Sequence, residues 1–183
     1  MKRILYIPFD HLHRNFGALK AADPKSDVIA FVESARMTAG RNWHKERLFF
    51  LISSARHFAA SLEQEGFTVE YVKAATTIDG LETIKAKHKL SEIICAKPSS
   101  FRQFEALQKY GVSFVANDFF LTPRPLFNEW AGSQKSFLME SFYRANVFAS
   151  EFWSKAVNQL VVLGTLIKRI ACHHQKNMMD QNI

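Results

Sequence analysis

Apolar residues run along this chain in two rhythms. Short, nearly unbroken apolar runs occur at residues 3–9 (RILYIPF), 27–32 (DVIAFV) and 92–96 (EIICA). Runs of this length read as strands buried on both faces of a parallel sheet. Residues 68–72 (TVEYV) alternate and are β-branched, and residues 113–116 (SFVA) complete a set of five strands. The second rhythm is helical. Within residues 43–65, Leu48, Leu51, Ile52, Ala55, Phe58, Ala59 and Leu62 recur every three or four positions, as a core-facing stripe requires. Gly66 stands where a C-terminal cap belongs. Residues 77–88 carry Ile78, Leu81 and Ile84 on one side, and residues 99–110 open with serines and stop at Gly111. Residues 34–42 read as a polar loop. Pro123 and Pro125 mark a break, followed by short helical pieces at 127–131 and 137–144.

Strands alternating with helices of ten residues or more predict βαβ units. The expected fold is α/β: a Rossmann-like, doubly wound, mostly parallel five-stranded sheet with flanking helices, plus a helical C-terminal tail. The predicted organisation is an α/β domain over 1–122, a linker over 123–144 and a tail over 145–183. The chain shows no internal repeat and no low-complexity stretch.

In an open parallel sheet, ligands bind in the crevice at the carboxyl ends of the strands. Asp10 and Glu33 each follow a predicted strand, so both are expected to project toward that crevice. A carboxylate there can accept hydrogen bonds from ring N–H or ribityl hydroxyl groups, as a flavin-like or lumazine-like ligand would offer. The plainer alternative is a helix cap or a surface charge. His44, Lys45 and Arg47 open the long helix, where free N–H groups and Lys45 could hold an anion; a solvated first turn is the alternative. His11, His13, His44 and His57 have no regular spacing and no completing cysteine or acid, which argues against a metal site.

Charge and composition narrow the partners. The net charge of +7 favours polyanions, so weak, salt-sensitive, sequence-independent DNA binding is expected. Two cysteines, Cys95 and Cys172, make neither a disulfide framework nor a four-cysteine metal site. Cys95 reads as a buried free thiol. The apolar stretch 4–9 is too short for a signal-peptide core or a membrane span, so a cytoplasmic protein with no membrane association is expected. There is no glycine-rich phosphate loop, no GxSxG elbow and no HExxH.

Several segments, taken in order, resemble one family: the deoxyribodipyrimidine photolyase-related proteins, iron–sulfur bacterial cryptochromes and (6-4) photolyases. Asp10-His11-Leu12 resembles the family's D-Q-L motif after the first strand, and Glu33 stands where its second strand ends in Glu. Trp43-His44-Lys45-Glu46-Arg47 resembles H-H-K-x-K, and Ser53 through Ala59 (SSARHFA) resembles S-A-M-R-H-F-A. Lys97-Pro98-Ser99-Ser100-Phe101-Arg102 resembles E-P-S-x-x-R. Trp130-Ala131 and Met139-Glu140-Ser141-Phe142-Tyr143-Arg144 resemble W-A and M-E-x-F-Y-R. The chain departs from the pattern at His11 for Gln, Trp43 for His and Lys97 for an acid.

The resemblance implies an N-terminal antenna domain that binds 6,7-dimethyl-8-ribityllumazine through Asp10, His11, Leu12, Glu33, Ser34, His44 and Lys45. It further implies a helical C-terminal domain holding FAD and a [4Fe-4S] cluster. That second domain is not expected in this chain, because the cluster needs four thiolates, and no photolyase catalysis is expected. Two other readings stay open: a free-standing nucleotide- or flavin-type binding module with a regulatory role, and an enzyme that uses the crevice carboxylates directly.

Residues 152–170 read as a basic amphipathic helix, and Cys172-His173-His174 as a weak metal tract. Shifted by one base, however, the codons of residues 158–174 are compatible with a P-V-G-G-x-W-N-F-D-K-E-N-R-M-P-P segment. The family resumes with such a segment shortly after F-Y-R. A frameshift near Arg144 is therefore expected, with residues 145–183 out of frame and poorly packed.

Overall fold

The computed structural model describes residues 2–40, 42–120 and 122–149, in two units that divide between Leu121 and Thr122. The first unit is built on five strands: β1 (Ile4–Tyr6), β2 (Val28–Ser34), β3 (Thr68–Ala74), β4 (Ile93–Ala96) and β5 (Ser113–Val115). All pairs are parallel and the order is β3-β2-β1-β4-β5. The expected doubly wound α/β fold is therefore the observed one.

Alternation along the strands explains the layers. Leu5, Ile7, Ile29, Phe31 and Ile94 point to one face. There they meet Ala55, Ala59 and Leu62 of α2 (Lys45–Gln64), and Ala18 and Leu19 of a short 3-10 helix (Gly17–Ala21). Ile4, Tyr6, Val28, Ala30, Val32, Ile93 and Cys95 point to the other face, against Leu81 and Ile84 of α3 (Thr77–His88) and Leu107 of α4 (Phe101–Tyr110). Both faces of the central strands are covered, which is why their sequences read as unbroken apolar runs. In α3, Thr76 and Asp79 form a reciprocal capping box. Gly111 ends α4 in the left-handed region.

The structure shifts several boundaries. β1 closes at Tyr6 rather than residue 9, because Ile7 and Phe9 belong to the loop that leaves the sheet while still packing in the core. β2 extends to Ser34 because its whole length pairs with β3, from Val28 beside Thr68 to Ser34 beside Ala74. Glu33 thus lies inside a strand rather than after one. The stretch expected to be a polar loop contains a helical turn, α1 (Ala35–Thr38), capped by the Ser34 side chain, which accepts from the Met37 N–H at 3.2 Å.

The second unit contains α5 (Arg124–Gly132) and α6 (Met139–Ala149). Trp130 gathers Phe127, Phe137 and Phe142 at ring-centroid distances of 5.9, 6.2 and 4.9 Å. The Thr122 hydroxyl donates to Asn146 Oδ1 at 3.2 Å. Helix α6 runs past Arg144 to Ala149. The amphipathic stretch at 152–170, the Cys-His-His tract and residues 150–183 of the segment read as out of frame lie outside the described residues. Among the described residues, no helix is long and apolar enough to cross a membrane.

Candidate functional site

The strand order places the site. The chain steps outward from β1 to β2 to β3, then returns to lay β4 on the other side of β1. Connections leaving β1 and β4 therefore diverge, and the gap between their carboxyl ends is the switch point where such sheets bind ligands. Asp10 lies exposed on the loop leaving β1. Its neighbour His11 packs against Phe119, from the segment after β5, which sets this loop beside that gap. Burial, with the Asp10 charge added, pushes the Cys95 thiol well up, so this sulfur is a buried structural group rather than a nucleophile. The Tyr6 phenol, also pushed up by burial, accepts from Gln103 Nε2 at 3.4 Å.

The loop that carries Asp10 is tied across the gap. His11 stacks on Phe119 at 4.7 Å and Phe16 meets Phe119 edge-on at 5.3 Å. His13 stacks on Phe16 at 4.0 Å. The Gly17 N–H donates to Asp118 at 3.3 Å. Gly17 itself has φ +57° and presses on β4 so closely that a Cβ there would lie 2.7 Å from the Ala96 Cβ. The segment after β5 is fastened in turn to the segment after β4, with Asn117 Nδ2 donating to the Lys97 carbonyl at 2.8 Å. His11 is only 4% exposed, and both its ring nitrogens are buried without a partner. A neutral imidazole brings one N–H and one lone pair, and leaving either unpaired costs about 1–3 kcal/mol. Burial holds its pKa below the ordinary value, against the opposing pull of Asp10. Leu12 is half-buried against the core face that α2 covers.

Glu33 sits elsewhere. It shares its strand face with Ile29 and Phe31, on the α2 side. Its Oε2 accepts from Arg56 Nη2 of α2 at 2.8 Å and from the Tyr71 hydroxyl of β3 at 2.8 Å, and Lys73 Nζ stands 3.9 Å from Oε1. Burial opposes ionisation, but the hydrogen bonds from Arg56 and Tyr71 and the charges of Arg56 and Lys73 outweigh it and hold the pKa low. The Tyr71 phenol is pushed up to about 12 by burial and by donation to Glu33. Asp10 thus addresses the β1–β4 gap, whereas Glu33 is engaged by side chains over β2 and β3. Ser34, next to it, is buried as the cap of α1.

His44 is the N-cap residue of α2 without a side-chain capping bond, and it stands 3.9 Å from Glu46. Lys45 is exposed in the first turn. Ahead of them, the Trp43 indole N–H donates to the Met37 carbonyl at 2.8 Å and carries the Arg47 guanidinium 4.6 Å above its ring, which ties the start of α2 to α1. The residues missed by inspection of the sequence are Phe16, Phe119, Arg56 and Tyr71. Only the alternation of Tyr71 with Val69 hinted at its side of the sheet. Among the described residues, no group of three or more His, Cys, Asp or Glu is arranged to hold a metal ion. A shallow hollow lined by Glu82, Lys85, Lys89, Leu90 and Tyr110 lies at the amino end of β4, opposite the ligand-binding edge.

The sequence profile of a family described as "Deoxyribodipyrimidine photo-lyase-related protein" matches residues 5–146. A "(6-4) photolyase" of Agrobacterium fabrum (strain C58) is 29% identical over 156 residues, covering 79% of this chain and 31% of that relative. The chain therefore spans about a third of the relative's length.

Proposed function

The chain belongs to the deoxyribodipyrimidine photo-lyase-related protein family, and from that premise we propose that its first unit is the chromophore-binding antenna domain of a cryptochrome/photolyase-like protein. The observation that carries the proposal is the reversal of strand order between β1 and β4, with an exposed carboxylate, Asp10, on the loop beside it. The ligand we favour is 6,7-dimethyl-8-ribityllumazine. Asp10 would accept hydrogen bonds from its ribityl hydroxyls or ring N–H. His11 and Leu12 would shape the pocket wall, and at the α2 N-terminus Lys45 would supply positive charge and His44 a ring nitrogen for hydrogen bonding. Glu33, kept ionised by Arg56 and Tyr71, and Ser34, capping α1, would hold the neighbouring rim in place. The pigment itself supplies light absorption.

Of the FAD and [4Fe-4S] cluster that the family implies, the cluster does not fit this chain. Two cysteines cannot supply four thiolates, and the Cys95 thiol is buried. We place both groups in the part of longer relatives that this chain does not span. The cytoplasm is the compartment that suits free thiols, and DNA binding by this basic chain would be weak and would fall as salt rises. Reading residues 145–183 as out of frame rests on codon compatibility; an intact frame in the underlying DNA would remove it.

The test is a fluorescence titration of the full chain with the lumazine. Saturable binding is expected, weakened about tenfold to a hundredfold in Asp10→Asn, the equivalent of about 1.5–3 kcal/mol for a hydrogen bond to a charged group. No saturable binding by the native chain, with tight nucleotide or flavin binding in its place, would favour the free-standing binding module.

A further inference from the structure

The geometry points to an acid-sensitive latch: the His11–Phe119 ring stack holds the loop after β1 down across the β1–β4 gap while His11 is neutral, and protonation of His11 releases it. The latch stands on the packing alone; its consequence for ligand access rests on the function proposed above.

His11 is an odd choice for a pure core filler. It is as buried as the aliphatic residues around it, yet neither ring nitrogen finds a partner. A phenylalanine would stack on Phe119 with no such cost. What the imidazole adds is a second charge state. Neutral, it tolerates the ring face at 4.7 Å in a buried site. Protonated, it must bring two N–H donors and a full charge into water or toward a carboxylate, and it cannot do so in place. Asp10, exposed on the adjacent position, offers that carboxylate once the ring swings out.

The other restraints on the loop either surround the stack or persist through the change. His13 stacks on Phe16 at 4.0 Å and lies edge-on to Phe119 at 6.4 Å, so it is the second titratable ring of the cluster. Asp118, next to Phe119, accepts from the Gly17 N–H and lies 3.9 Å from Lys20. Arg14 is held by Glu65 at 2.9 Å and by the Leu19 carbonyl, over the Phe67 ring. On the β4 side, Cys95 is buried and Lys97 stands over Phe104. The Arg14 and Gly17 anchors keep the far end of the loop seated, so opening is confined to its start, around residues 10–13, the stretch flanking the gap.

Hydrogen exchange followed by mass spectrometry on the full chain tests this, at about pH 7.5 and pH 5.5, the range in which a histidine titrates. After correction for the intrinsic pH dependence of exchange, protection of residues 10–13 should fall at least about tenfold on acidification in the native chain, while residues 14–17 keep theirs. His11→Phe keeps a ring on Phe119 and should stay protected at both pH values, while His13→Gln should keep the native response. Equal native protection at both pH values, or a response retained in His11→Phe, overturns the latch. If His11→Phe does not fold, nuclear magnetic resonance titration of the native His11 ring still decides. A midpoint below 6.5 that coincides with loop opening supports the latch; a midpoint at or above 6.5 overturns it. Lumazine titrations at both pH values read the consequence separately. Failure to bind at either pH counts against the proposed function and leaves the exchange result to decide the latch.

Discussion

Replacing Gly17 with alanine tests how firmly the loop after β1 is seated on the sheet. Two separable costs are expected. Gly17 has φ +57°, and an L-residue in that region costs about 1–2 kcal/mol. The new Cβ would lie 2.7 Å from the Ala96 Cβ, and Ala96 is a buried strand residue that cannot swing aside. Overpacking of this kind costs about 1–3 kcal/mol. Gly17→Ala should therefore lose about 2–5 kcal/mol, a large share of the stability of an ordinary domain. In an Ala96→Gly background the clash is gone and the backbone cost stays, so the same change should cost only about 1–2 kcal/mol. Ala96→Gly alone gives up about 0.5–1 kcal/mol as a glycine in a strand. Urea unfolding followed by circular dichroism on all four chains yields the coupling directly. A favourable coupling of about 1–3 kcal/mol is expected. Additivity within about 0.5 kcal/mol would show that the loop does not bear on β4 as described.

Glu33→Gln should cost only about 0.5–1.5 kcal/mol near neutral pH, because Arg56 and Lys73 are largely exposed and screened while the amide oxygen can still accept from Tyr71. Since the folded-state pKa of Glu33 lies below its ordinary 4.5, its contribution is full above 4.5 and is lost as pH falls beneath that value. Urea midpoints of the two chains should therefore converge in acid, and a gap that stays constant would refute the assignment. His11 has the opposite charge type but a similar slope: with its folded value below 6.5, stability is full above 6.5 and declines as pH drops beneath it, a decline that His11→Phe should flatten. Asp27→Ala removes a carboxylate that accepts from Arg3 Nε and Nη2 at 3.0 and 3.3 Å and from the Asp23 N–H at 2.9 Å. Its side chain is 1% exposed, but Arg3 at 31% can rehydrate, so thermal and urea unfolding should report a loss of about 2–3 kcal/mol rather than the larger cost of stranding a buried charge.

Local pattern alone carried the architecture. The apolar runs at 27–32 and 92–96, the three-and-four spacing through α2 and the glycine that closes α4 are short-range signals. Each one restricts the chain within a few residues. The position of Asp10 after the first strand was legible in the same way, since a doubly wound sheet sends that loop to its ligand-binding edge. What Glu33 touches was not legible. Its partners Arg56 and Tyr71 come from a helix and a strand that only the folded sheet brings alongside. Nor did the sequence reveal that His11 is buried and unpaired, because Phe119 reaches it from the far side of the switch point. Periodicity reports which face of an element is apolar. The neighbour of a polar group is decided by how faces from distant elements meet, and that sets whether a carboxylate is free to bind or already engaged, and whether an imidazole can carry charge.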